Sequence, residues 1–124
     1  MLQDVMALLA AALPTVVVKY GFMPKSPNEV LVLYGYAGSP PERTLDGGRT
    51  ARPGLQLIAR SATIAAAHNR LKAAQAVLEA VTNQTVGGSF YRRISANQEP
   101  FPIPGWEDGA VVLGQNYAVE VEEV

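Results

Sequence analysis

The run Val30-Leu31-Val32-Leu33-Tyr34 consists only of apolar or aromatic residues and has no polar face. A β-strand sends successive side chains to opposite faces, so a strand of this composition has to be covered on both sides and does not suit an open edge. The chain therefore needs a sheet with material packed over it. Its 124 residues are enough for that. A globular chain of this size buries roughly two-thirds of the surface that its unfolded form exposes, so one domain over residues 1–124 needs no disulfide or structural metal. There is no cysteine, which excludes disulfide frameworks, thiol nucleophiles and cysteine zinc sites together.

The remaining elements follow from periodicity. Leu2, Val5, Met6, Leu9 and Leu13 form one stripe of an amphipathic helix that Pro14 stops. The same stretch carries Asp4 and no basic residue where a secretory signal would have one, and it is too short and too interrupted to span a membrane. The Asn83-Gln84-Thr85 sequon is on this reading a chance match. Thr15 to Tyr20 is β-branched and reads as a strand closed by Gly21. Leu55 to Arg60 alternates, with Leu55, Leu57 and Ala59 on one face and Gln56, Ile58 and Arg60 on the other. A helix follows, capped by Ser61 or Thr63, with its stripe on Ile64, Ala67, Leu71, Ala74, Leu78 and Val81, and the Asn83 to Gly88 segment ends it. Strands are expected over 89–98 and 111–121. The sum is an α+β domain with a mixed or antiparallel sheet and helices packed mainly on one face.

Between the second and third strands, from about 35 to 53, periodicity stops. Glycines at 35, 38, 47 and 48, prolines at 40 and 41, and Arg43, Arg49 and Arg52 read as a long irregular loop. Loops beyond roughly 12–15 residues in a compact domain are usually functional or order on meeting a partner. The charge is uneven as well. Residues 1–62 carry six Lys/Arg against four Asp/Glu, and residues 63–124 carry four against seven. From Glu99 onward there are acids and no base, ending in Glu120, Glu122 and Glu123. A net charge of -1 is too balanced for a surface that grips nucleic acid throughout, so charge recognition has to be local.

The catalytic inventory is thin. His68 is the one histidine and has no second ligand in metal spacing. No serine lies in a nucleophile-elbow context, and Glu107-Asp108 sit side by side in a Pro/Gly loop, where neighbouring acids form turns more often than acid/base pairs. Glycines at 35, 38, 47 and 48 do not precede a helix as a phosphate cradle requires. Arg92 and Arg93 flanked by Phe90 and Tyr91 could serve a single strand of nucleic acid, but alternation splits them between two faces. Trp106, the one tryptophan, is either a core plug or a contact anchor.

Three segments together resemble a known family. Gly54-Leu55-Gln56-Leu57-Ile58-Ala59-Arg60 leads into the long helix, a strand ends at Gln98 before the Pro/Gly/Asp loop from Pro100 to Gly109, and Asn116-Tyr117-Ala118-Val119 lies in the closing strand. From about residue 30 to the end the chain is similar to phage minor capsid proteins of the tail-terminator and tail-completion type. Trp106 stands where a smaller turn residue belongs in that pattern.

The resemblance implies a virion protein without enzymatic activity or cofactor: a homo-oligomeric ring, commonly a hexamer, made in the host cytoplasm. Such a ring caps the tail tube and joins it to the head connector. DNA passes through it without sequence-specific binding. Ring closure needs two different complementary surfaces on each subunit. Arg43, Arg49 and Arg52 on one side and Glu120, Glu122 and Glu123 on the other are candidates for that pair or for tail-tube contacts, with Trp106 as a further contact. Alternatives are a head-completion or neck protein with a portal-side partner, a small α+β enzyme using His68 or Glu107-Asp108, and a nucleic-acid-binding module on the Arg92-Arg93 strand.

Overall fold

The computed structural model describes residues 1–24, 29–43, 49–104 and 110–123. Helix α1 (Leu2–Ala12) is followed by β1 (Val18–Tyr20), β2 (Val30–Arg43), β3 (Arg49–Ser61), α2 (Ile64–Glu79), β4 (Thr82–Val86), β5 (Ser89–Ala96), β6 (Phe101–Pro102) and β7 (Val111–Glu123). The strands form one curled sheet in the order β1-β2-β3-β7-β5-β4, with β6 paired to β7 beside β5. Only β1 and β2 run parallel among the described pairs, so the sheet is mixed. The last strand of the chain lies at the centre.

The Val30–Tyr34 run behaves as its composition requires. Leu31 and Leu33 join the main core with Leu55, Leu57 and Ala59 of β3, Leu113, Tyr117 and Val119 of β7, Val5 and Leu9 of α1, and Ala67, Leu71, Ala74 and Leu78 of α2. Val30 and Val32 are equally buried but lie outside that cluster, on the alternate side of the strand. On β7, Gly114 belongs to this second side, where an added Cβ would meet the Ile103 and Phe101 side chains at 2.8 and 3.2 Å. The side chains of Ile103 and Phe101 thus lie over Gly114 and would have to shift to admit a larger residue there.

α2 begins as expected. Thr63 is the N-cap, its Oγ1 accepting the Ala66 N–H at 3.2 Å. The stripe is buried from Ala67 to Val81, but Ile64 is 66% exposed, because the first turn precedes the part of the helix that meets the sheet. Glu29, just before β2, ties this corner: its carboxylate accepts from the Ala62 N–H at 3.0 Å and from Arg70 at 2.8 Å. Hydrogen bonds from Ser61 first, then Arg70 and Ala62, lower the Glu29 carboxyl to about 2.

Besides β1 starting at Val18 instead of Thr15, and the short β6 within the loop expected from Pro100 to Gly109, two longer segments differ from the sequence expectation. The stretch from 35 to 53, expected as an irregular loop, belongs to β2 and β3 wherever it is described: Tyr36 opposes Gly54, Ser39 opposes Arg52, Glu42 opposes Thr50 and Arg43 opposes Arg49. The register shifts between Tyr36 and Ser39 and again between Ser39 and Glu42, and the second shift contains Pro40 and Pro41, which have no N–H to offer a ladder. Bulges therefore admit residues that would otherwise end a strand. The second difference is Thr82–Val86, which forms strand β4 instead of a simple helix exit. Its turn into β5 uses Gly87 and Gly88 at φ +60° and +88°, the two positive values that a tight hairpin turn needs.

A buried amide holds α2 and the β5–β6 connection onto β7. Gln115 is fully buried; its Nε2 donates to Gln75 Oε1 at 3.1 Å and to the Gln98 carbonyl at 2.9 Å, and its Oε1 accepts from the Tyr117 hydroxyl at 2.8 Å. Burial, and then the Glu79 charge, push the Tyr117 phenol well above its ordinary range. A half-satisfied buried network is worse than an apolar one. Gln115→Leu should therefore lower unfolding stability by about 1–3 kcal/mol in urea titration, and an unchanged midpoint would contradict this account. Because the Glu29 carboxyl is depressed, its contribution is present above the ordinary carboxylate range and is lost as pH falls toward about 2. Glu29→Gln should flatten that part of the stability–pH curve, with no effect of its own on the slope above pH ~6.

Candidate subunit interface

The charged residues singled out in the sequence meet at one end of the sheet, within a single subunit. The β3–β7 register sets Arg49 opposite Glu123 and Thr50 opposite Glu122, and its continuation sets Arg52 beside Glu120. On the other side of β7, Arg93 opposes Glu120, with Nε to Oε1 at 3.5 Å, and Arg92 reaches Glu122 at 3.2 Å. The acidic end of β7 is flanked by arginines on both neighbouring strands. Across strands, opposite charges stabilise the pairing by roughly 0.2–1 kcal/mol each, so the arrangement helps fix register more than it adds stability.

Beside this charge array the sheet forms an open depression of about 500 Å³. Gly38, Pro53, Gly54 and Ala118 contribute small or compact residues, and Arg52, Arg93 and Glu120 line it as well. Two guanidiniums around one carboxylate give these residues a net positive charge. Arg93 is 63% exposed at its side chain and Glu120 27%, so the array is open to a second molecule. Gly38 is required by the backbone: an added Cβ would lie 1.8 Å from the Arg52 carbonyl oxygen and 2.7 Å from Gly54 N. A second depression, of about 530 Å³, is lined by Met6, Val18, Lys19, Tyr20 and Phe22 where α1 meets β1.

Of the candidates from sequence, Arg52, Glu120 and Glu122 share one face at this end of the sheet, while Arg49, opposite Glu123 in the register, alternates to the other face. Arg43 and Glu123 contribute paired backbone at the same end, and their side chains lie outside the described residues. Trp106, Glu107 and Asp108 lie outside the described residues too. His68 is exposed on α2 and, among the described residues, no group of three or more His, Asp or Glu is placed to hold a metal ion. No helix among the described residues is long and apolar enough to cross a membrane. Sequence reasoning missed Arg93 as a member of the array. Its alternation with Arg92 was visible, but the opposing acid depends on a β5–β7 register that no local pattern reveals.

Gly38→Ala, which removes no interaction and adds one methyl group against backbone, should destabilise the fold by about 1–3 kcal/mol and loosen the β2–β3 hairpin. Amide hydrogen exchange should accelerate first at residues 50–56; unchanged exchange there would contradict the close approach.

The sequence model of a family described as bacteriophage tail terminator protein matches residues 6–123. No curated protein sequence matches the chain. Among solved structures, a chain from the virion of a native gene transfer agent particle superposes with a TM-score of 0.55 at 13% identity, covering 96% of this chain and 84% of that one, a likeness of fold. Another solved chain, 22% identical, gives a TM-score of 0.47 over 94% of this chain and 88% of its own length.

Proposed function

The chain belongs to the bacteriophage tail terminator protein family, and from that premise we propose that it closes into a homo-oligomeric ring, a hexamer, that caps the tail tube and joins it to the head connector. The family is one of structural phage proteins and not of enzymes, which makes this chain a structural protein of the virion. The family match across nearly the whole chain carries the reading. Assembly takes place in the host cytoplasm, and DNA crosses the finished ring without base-specific contacts.

The geometry supports this in two ways. Both helices enter the main core, on the side of Leu31, Leu33, Leu55 and Leu57, and we take them to cover mainly that one face of the sheet. The other face is buried at Val30, Val32 and Gly114, and its arginine-flanked depression is left to meet another protein. The second support is the charge array. Arg43, Arg49 and Arg52 meet Glu120, Glu122 or Glu123 of a neighbouring subunit or acids of the tail tube, while within the subunit Glu120 and Glu122 also pair with Arg93 and Arg92. Opposite charges across such an interface set encounter and register more than affinity.

Purified protein mixed with isolated tail tubes should decorate one tube end in negative-stain images, and reversing Arg43, Arg49 and Arg52 to Glu together should abolish the decoration at physiological salt. Binding along the tube sides, or none, would contradict the capping role.

A further inference from the structure

Lys19 on β1 opposes Val32 on β2, Val32 opposes Ile58 on β3, Ile58 opposes Gly114 on β7, and Gly114 opposes Phe101 on β6. This row of the sheet ends on two different edges, β1 and β6, four strand spacings or about 19 Å apart along the sheet. Each edge carries its own surface. At β1 the depression of about 530 Å³ is lined by Met6, Val18, Lys19, Tyr20 and Phe22. Phe22 is 59% exposed and Lys19 is exposed beside it, while Gln3 Nε2 donates to the Tyr20 hydroxyl at 3.0 Å and holds that ring in place. The β1 edge thus offers two aromatic rings and a methionine around a single cation.

The opposite edge is the segment Glu99-Pro100-Phe101-Pro102-Ile103-Pro104. The Ile103 N–H donates to the Val112 carbonyl at 2.9 Å and the Phe101 and Ile103 side chains lie over Gly114, so the segment is fixed to β7. Alternation then turns the backbone of residues 102 and 104 outward, and both are exposed prolines without an N–H. Such an edge does not extend the ladder; it presents pyrrolidine rings. Extended proline segments dock on grooves lined by aromatic rings. The charges agree as well. Glu99 is the one charged residue of the segment and is 76% exposed at its side chain; Lys72 engages it through Oε2, and a carboxylate has lone pairs for a second ammonium. We propose that the proline edge of one copy of this chain docks in the α1–β1 depression of the next, with Glu99 meeting Lys19. Strand pairing holds the two surfaces at opposite ends of one row, so a subunit does not fill its own depression. Two different surfaces on each copy make the head-to-tail contact that closes a ring. The inference rests on the ring reading and assigns its contact between copies.

The chain has no cysteine, so introduced thiols report the contact directly. Val17→Cys and Pro104→Cys are exposed positions that leave the lining of the depression and Pro102 in place. Both thiols in one chain, treated with a short bismaleimide, should give a covalent ladder of oligomers on a denaturing gel. The two single-thiol chains mixed in equal amounts should stop at a one-to-one covalent dimer, and each alone should stay monomeric on the gel. Separately, Lys19→Glu with Phe22→Ser should weaken self-association at least ~10-fold in analytical ultracentrifugation. Both of those side chains are exposed, and circular dichroism checks that the variant is folded. If wild type assembles but no link forms between copies, or links form only within one chain, or the Lys19→Glu, Phe22→Ser chain associates as wild type does, this contact is overturned and the ring stands. A wild-type chain that is monomeric at every concentration would overturn both.

Discussion

The structure depends on β7 lying between β3 and β5. This last segment of the chain supplies the centre of the sheet, so the two halves, β1-β2-β3 and β5-β4, have no shared backbone pairing until it is in place. Two features hold it there. Near its start Gln115 is buried with both ends of its amide engaged, to Gln75 on α2, to the Gln98 carbonyl and to the Tyr117 hydroxyl. At its end Glu120 and Glu122 meet Arg93 and Arg92. The first acts by the cost of leaving a buried amide unpaired, the second by setting which residues oppose each other.

That placement changes the meaning of the charge distribution. In the sequence, the arginines near the middle and the acids at the end are separate blocks, and a near-zero net charge conceals them. In the fold they are neighbours on adjacent strands, so the acidic end of β7 is in large part answered within the subunit. The depression at Gly54 and Ala118 lies beside this array and is lined by Arg52, Arg93 and Glu120.

Much of this fold was legible because its determinants are local. The unbroken apolar run Val30–Leu33 required cover on both faces and has it; Leu55, Leu57 and Ala59 alternate into the core; Thr63 caps α2; Gly87-Gly88 makes a turn. The hairpin arms from 35 to 53 were not legible, because glycine and proline argue locally against a strand. There the ladder to β7 and the two bulges outweigh local propensity, as Ala51 opposite Val121 and Gly54 opposite Ala118 illustrate. The interface was legible in part. Residue types marked Arg49, Arg52, Glu120 and Glu122, but their lying on adjacent strands of one subunit, and Arg93 pairing with Glu120, depend on register across strands far apart in sequence.

Native mass spectrometry of the wild-type protein over a wide concentration range tests the central claim most directly. The proposed ring predicts monomer giving way to a single closed oligomer of fixed copy number, a hexamer on that proposal, with no larger series above it. Monomer at every concentration, or an open-ended ladder of oligomers, would contradict a subunit built to close on its own copies.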